Sequence, residues 1–253
     1  MLPPEFLADY LRSLTVDIKE LISKLPTKGT YATTDFEHYV QRAATYSSNI
    51  EGNSIDFDTF LKNKRFNIKS KPKEMAEIED LVKAYNFALA NELNEANFLH
   101  AHKLLSRHIL SLKNQRGTFR DQQVGIFSQG RMEYMAVEPA FVQQELSKLF
   151  ADIQLLLSGT LSEAETFYYA SLIHLMFEKI HPFMDGNGRA GRLLEKWFLY
   201  ARFGEQAWAI PSEMHYALNR TAYYQHIHIG VDYYSLHWER CLPFLLMLPE
   251  ALV

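Results

Sequence analysis

The sequence predicts an all-α fold, a bundle of helices that carries a single β-hairpin. Three observations predict it. The chain has only 11 Gly and 9 Pro in 253 residues, well below the ~12% of average usage, which disfavours turn-rich β architectures. Apolar residues recur at the 3.6-residue helical period over most of its length, and one segment alone, residues 124–137, alternates as strands do. With 47% hydrophobic residues, including 17 Phe, 14 Tyr and 3 Trp, the chain has the material for a core and is not a disordered segment.

Charge and cysteine usage narrow the class. A formal net charge of −4 argues against a surface built to neutralise nucleic-acid phosphate, so no DNA binding is expected. The single cysteine, Cys241, allows no intrachain disulfide, and a zinc site would have to rely on His and carboxylates. The start Met1-Leu2-Pro3-Pro4-Glu5 lacks the basic and apolar regions of a signal peptide, and no 18-residue apolar stretch occurs. The expectation is a cytoplasmic protein with no membrane segment. The greasiest stretch, Cys241 to Leu248, is interrupted by Pro243 and reads as a terminal core helix or a dimer contact, so a homodimer is an allowed state.

Taken in order, Phe6, Tyr10, Leu14, Ile18, Leu21, Ile22 and Leu25 form a helical stripe over residues 3–25, closed by Pro26. Thr34 is placed to cap a second helix, with Phe36, Tyr39, Val40, Ala43, Tyr46 and Ile50 on one face and Gly52 ending it. The basic stretch from Lys62 to Lys73 reads as a solvated connector. It divides an N-terminal helical region, residues 1–70, from the remainder, 71–253. Further helices are predicted near 73–90, 95–110, 140–158, 162–180, 187–203, 211–228 and 233–248, with Ser162 and Glu165 as a capping box. The two strands flank Gln129-Gly130.

The helix over 162–180 is apolar nearly all round and should be the central one. His181 follows it directly, and Pro182 should push His181 out of the helical region, so that it projects into the turn beyond. Phe183-Met184-Asp185-Gly186-Asn187-Gly188-Arg189-Ala190-Gly191-Arg192 then leads into the next core helix. Gly186 and Gly188 let the backbone approach a ligand closely where that helix starts, with its unpaired N–H groups and positive dipole end. Arg189 and Arg192 share one face in the early turns, where cations are disfavoured unless an anion is present. A phosphate chain would reverse that penalty. Arg would supply forked donors, Asn187 an amide, and Asp185 a hard oxygen for magnesium. His181 is suited to take a proton from an attacking hydroxyl.

The run from His181 to Arg192 resembles the Fic (filamentation induced by cyclic AMP) signature HxFx(D/E)GNGRxxR at every fixed position. The resemblance extends to the hairpin, to Tyr223-Tyr224 after Arg220, and to Ser47-Ser48-Asn49-Ile50-Glu51-Gly52, covering roughly residues 34–228. It implies an all-α Fic fold with a β-hairpin flap and an N-terminal helical extension, in an enzyme that transfers AMP from ATP to a protein hydroxyl with Mg2+. By this resemblance His181 is the base, Phe183 anchors the loop and Asp185 holds magnesium. Gly186, Asn187 and Gly188 cradle phosphates, Arg189 meets the β-phosphate region and Arg192 the γ-phosphate. Tyr223 and Tyr224 would line the nucleotide site. The flap positions Val124, Ile126, Tyr134 and Met135 would dock the target, although Val137-Glu138-Pro139 replaces the longer proline run of many relatives.

Ser47, Glu51 and Gly52 fit the family's inhibitory pattern (S/T)xxxE(G/N), which implies an N-terminal inhibitory helix over about 34–52. A physical observation stands beside it: Glu51 at a helix C-terminus and Arg192 near a helix N-terminus are each locally unfavourable, and each would satisfy the other. The reading is therefore a protein adenylyltransferase acting on a Ser, Thr or Tyr hydroxyl of a target protein, which could include a copy of itself. Two alternatives accompany it. Glu51 could orient water for removal of AMP, or the domain could be a nucleotide-sensing module with vestigial catalysis. The remaining histidines, among them His100, His102, His108, His226 and His228, show no metal-binding spacing and read as structural or surface residues.

Overall fold

The computed structural model describes residues 2, 4–26, 33–68, 70–128 and 130–253. It is a helical protein: α1 (Leu7–Ser13), α2 (Ile18–Lys24), α3 (Thr33–Ile50), α4 (Phe57–Phe66), α5 (Pro72–Ala90), α6 (Glu95–Leu105), the strands β1 (Gly125–Ser128) and β2 (Arg131–Met135), then α7 (Pro139–Ser158), α8 (Glu163–Ile180), α9 (Asn187–Phe203), α10 (Ser212–Leu218), α11 (Arg220–Ile227) and α12 (Leu242–Glu250). β1 and β2 form one antiparallel pair, with a register shift between Ile126 and Phe127.

α8 is the central helix. Ser162 accepts a hydrogen bond from the Glu165 backbone at 3.2 Å while the Glu165 carboxylate takes the Ser162 N–H at 2.8 Å, the reciprocal cap expected from the sequence. Residues on every side of it are buried, from Thr166 to Ile180. It packs along α9, with α7 and α12 on its other faces. α12 buries Phe244, Leu245, Met247 and Leu248, so this terminal segment is core. Among the described residues no helix is long and apolar enough to cross a membrane.

Several expected boundaries differ. The stripe over 3–25 is two helices, because Asp17 caps the second by accepting from the Glu20 N–H at 3.0 Å. α3 begins at Thr33, so Thr34 lies within it and is no cap; its side chain falls outside the described residues. Much of the basic stretch is not a connector. Lys62, Lys64 and Arg65 belong to α4, which Asp56 caps and Asn67 ends in the left-handed region at φ 51°. The apolar stripe Phe57, Phe60 and Leu61 is short, and lysines crowd it. Residues 211–228 divide at Asn219 into α10 and α11, and the helix expected over 233–248 occupies only Leu242–Glu250. Lys69 and Gln129 lie outside the described residues.

Candidate active site

The loop between α8 and α9 is built by packing. His181 caps α8 at φ 50°, ψ 61°, not in the extended region that the following proline favours. A left-handed non-glycine residue costs ~1–3 kcal/mol and persists only where its surroundings impose it. Phe183 is fully buried and lies parallel to the His102 ring at a centroid distance of 3.4 Å, with Phe98, Phe119 and Phe177 around it. His102 Nδ1 accepts from the Gly117 N–H at 3.0 Å, which leaves Nε2–H to donate to the Asp185 carbonyl at 3.0 Å. Burial keeps this imidazole neutral, with its pKa pushed down to about 4. The structural role expected for His102 is thus also a role in shaping the loop.

Asn187 departs from expectation. Its side chain accepts from the Phe183 N–H and donates to the Phe183 carbonyl, both at 2.9 Å, so the amide closes the loop and is not left for a ligand. Its backbone N–H remains at the first turn of α9. Asp185 is exposed, with one carboxylate oxygen 2.6 Å from the Gly186 N–H. Gly186 adopts φ 84°, and a side chain there would crowd Leu105 and His102.

Arg192, in the second turn of α9, is 1% exposed. Its Nε donates to Ser47 Oγ at 2.9 Å, Nη2 to the Ser47 carbonyl at 3.0 Å and to Glu51 Oε1 at 2.7 Å, and Nη1 to the Tyr223 hydroxyl at 3.1 Å. Glu51 follows the last residue of α3 and Gly52, at φ 95°, turns the chain away. The carboxylate reaches over the start of α9 so closely that a Cβ on Gly188 would lie 2.2 Å from Glu51 Oε1. Gly188 is therefore the residue that admits the anion. Burial opposes ionisation of Glu51, but Arg192, and behind it Arg189, hold its pKa below the ordinary carboxylate value. Arg189 faces Glu77 of α5, Nη1 to Oε2 at 3.4 Å.

Behind Arg192 lies a directional chain of buried hydrogen bonds. The Tyr223 hydroxyl, having accepted from Arg192, donates to His174 Nε2 at 3.0 Å. His174 Nδ1–H then donates to Glu195 Oε2 at 2.8 Å, which also accepts from the Tyr216 hydroxyl at 2.9 Å. Tyr223 is thus the floor beneath the guanidinium. Tyr224 is 43% exposed and donates to the Ile50 carbonyl at 3.1 Å, holding the end of α3. Both tyrosines support the Glu51–Arg192 pair, Tyr223 through the guanidinium and Tyr224 through the end of α3.

His181 is mostly enclosed, and burial pushes its pKa down to about 4, so the imidazole is a free base at neutral pH. Nδ1 lies 3.8 Å from Glu178 Oε2. Arg120 was not legible from the sequence, where it is an isolated basic residue near the hairpin. It is 2% exposed, and its guanidinium is directed at backbone carbonyls: His181 at 2.8 Å, Gln122 at 2.9 Å, Ile180 at 3.4 Å, and Val137.

The flap is partly committed to the body. Tyr134 is 2% exposed and donates to the Lys179 carbonyl at 2.6 Å, so its side chain faces inward. The Met135 N–H donates to the Val231 carbonyl and its carbonyl accepts from the Tyr233 N–H. These two positions anchor the hairpin. Ile126 and Phe127 are exposed on β1, and the Val124 carbonyl accepts from the Ala136 N–H.

A buried imidazole, an exposed carboxylate, a glycine-bordered helix start and an engulfed arginine thus surround one turn. Residues 92–199 match the model of the Fic/DOC family. The fold agrees with three solved structures. A Fic family protein from Desulfovibrio desulfuricans superposes with a TM-score of 0.78 at 21% identity, over 100% of this chain and 73% of that one. A Fic domain-containing signaling protein from Bacteroides thetaiotaomicron gives 0.70 at 17%, over 93% of each chain. Fic-1 (residues 134–508) from C. elegans gives 0.67 at 17%, over 98% of this chain and 70% of that one. Comparison with curated protein sequences finds no match. Members of the family commonly transfer AMP or a related group to protein targets.

Proposed function

We propose that this protein is an adenylyltransferase that moves AMP from ATP to a hydroxyl side chain of a target protein and is held down by its own α3. The observation that carries the reading is the seat at the start of α9: an anion, the Glu51 carboxylate, already lies against Gly188 and Arg192. In the active form that seat would take nucleotide phosphates. Backbone N–H groups of the first turn and Arg192 would bind them, and Arg189 would join once released from Glu77. ATP would supply the AMP, the hydroxyl oxygen bonding to the α-phosphorus as the bond to the β-phosphate breaks and pyrophosphate leaves. Asp185 would hold Mg2+, and its exposed oxygen fits a cation that arrives carried on phosphates and asks for few protein ligands. His181, neutral at working pH, would accept the proton of the incoming hydroxyl.

The test is mass spectrometry of the Glu51→Gly protein after incubation with ATP and Mg2+. A gain equal to AMP on a Ser, Thr or Tyr, of this chain or an added target, is the expected result. Loss of AMP from a modified target would move the reading to the reverse reaction. No change under either condition, with ATP bound, would leave a nucleotide-sensing module.

A further inference from the structure

We propose that Arg120 is a positioning residue that holds the His181 peptide in place and ties the base of the flap to it, so that the geometry of the catalytic base and that of the flap are set by one guanidinium. The proposal rests on the adenylyltransferase reading above only where turnover is its readout.

Four features of the structure lead here. First, no carboxylate among the described residues closes an ion pair on Arg120, although it is buried, and Glu138 acts on it only at longer range. A guanidinium taken out of water this far is normally matched by an anion. Here the negative ends of backbone dipoles do that work. The carbonyls of Ile180 and His181 end α8, where the dipole of an 18-residue helix favours a cation. Second, His181 is left-handed directly before a proline, a costly conformation that its surroundings must impose. The bond from Arg120 Nε to the His181 carbonyl acts on that very peptide, and the Arg120 N–H adds a bond to the Pro182 carbonyl at 3.0 Å. Third, the other donors of the guanidinium reach Gln122 and Val137, the residues that lead into β1 and out of β2. Fourth, the planar fork reaches all these carbonyls at once, which a lysine ammonium on a flexible stem does not reproduce.

The charged groups facing the His181 imidazole are Glu178 and Lys179 from α8, Glu51 just beyond α3, and Arg120 from the loop before the flap. Removing Arg120 withdraws a cation and frees the peptide toward solvent. Both changes favour the protonated ring.

The experiment compares the full chain with Arg120→Gln, Arg120→Lys and Tyr134→Phe. Tyr134→Phe cuts the other flap tether to α8 without touching the His181 carbonyl. The first readout is the His181 imidazole titration by NMR on isotopically labelled protein, which needs no catalysis. Its midpoint is expected to rise from about 4 toward the ordinary ~6.5 in Arg120→Gln, to rise less in Arg120→Lys, and to stay in place in Tyr134→Phe. The second is transfer in the Glu51→Gly background, with ATP affinity by calorimetry. A misplaced base should cost roughly a hundredfold in turnover with affinity within about threefold. Should Arg120→Gln fail to fold, Arg120→Lys carries both readouts. An unmoved His181 midpoint in a folded Arg120 variant would overturn the proposal, as would equal shifts in Tyr134→Phe. Absent transfer in every protein, Glu51→Gly included, would count against the transferase reading and leave the titration to decide the role of Arg120.

Discussion

In the proposed transfer His181 would have to be neutral to accept a proton and would have to be held at the loop that receives the hydroxyl. Burial keeps the ring neutral, and the left-handed backbone directs it into the loop. His181→Ala is expected to lower transfer by ~10²- to 10⁴-fold in the Glu51→Gly background, with ATP affinity by calorimetry within a few-fold. Binding lost along with activity would refute its role as base. At Glu51 and Arg192 the expectation is asymmetric. Glu51→Gly should raise transfer, because a charge-assisted contact worth roughly 1.5 to 3 kcal/mol is removed from the seat, which amounts to about ten- to hundredfold. Arg192→Ala should not mimic it, since the phosphate clamp goes with the lock. Assays with labelled ATP at matched folding distinguish the two, and equal activity of wild type and Glu51→Gly would remove α3 from the account.

Among the elements, the flap offers β1 as its free edge. No described residue makes a backbone hydrogen bond to the outer side of Gly125–Ser128, whereas β2 is joined at Met135 to residues 231–233. Proline at whichever of Ile126 and Phe127 directs its N–H away from β2 should lower transfer to a protein target and spare ATP binding, as expected if the target adds as a strand. Unchanged transfer for both would refute strand addition. These elements also mark how far the sequence could be read. The 181–192 loop was legible because its chemistry is contiguous: a helix end, three glycines and two arginines within twelve positions. The Glu51–Arg192 pair, 141 residues apart, was approachable only through two unfavourable helix-end charges and a resemblance. Arg120 left no trace, since acceptance by backbone carbonyls requires no particular partner residue. α4 was hidden by its lysines, and Tyr134 looked like a docking residue because alternation alone does not tell which face of a lone hairpin meets the body.

For the molecule as a whole, two histidines carry a pH signature. His102 and His181 both have folded-state pKa values near 4, below the ~6.5 of an unfolded chain. Between those values the unfolded state binds more protons, so their contribution is present above pH ~6.5, declines as pH falls, and is gone below about 4. Each contributes a slope of up to ~1.4 kcal/mol per pH unit in that window. Glu178, whose buried carboxyl is pushed up, contributes with the opposite sign. The difference between proteins is therefore the cleaner quantity. Urea unfolding at pH 7 and pH 5 should show a smaller loss on acidification in His102→Phe than in wild type, and equal losses would contradict a neutral buried His102.

The close approach of Glu51 to Gly188 has a thermodynamic corollary. One seat cannot hold two anions, so whatever draws α3 off the start of α9 strengthens nucleotide phosphate binding by some factor, and bound nucleotide must favour that withdrawn arrangement by the same factor. On the proposed function, reciprocity would make ATP a reporter as well as a substrate. A protein that engages α3 would reveal itself by tightening the nucleotide before any AMP had been moved.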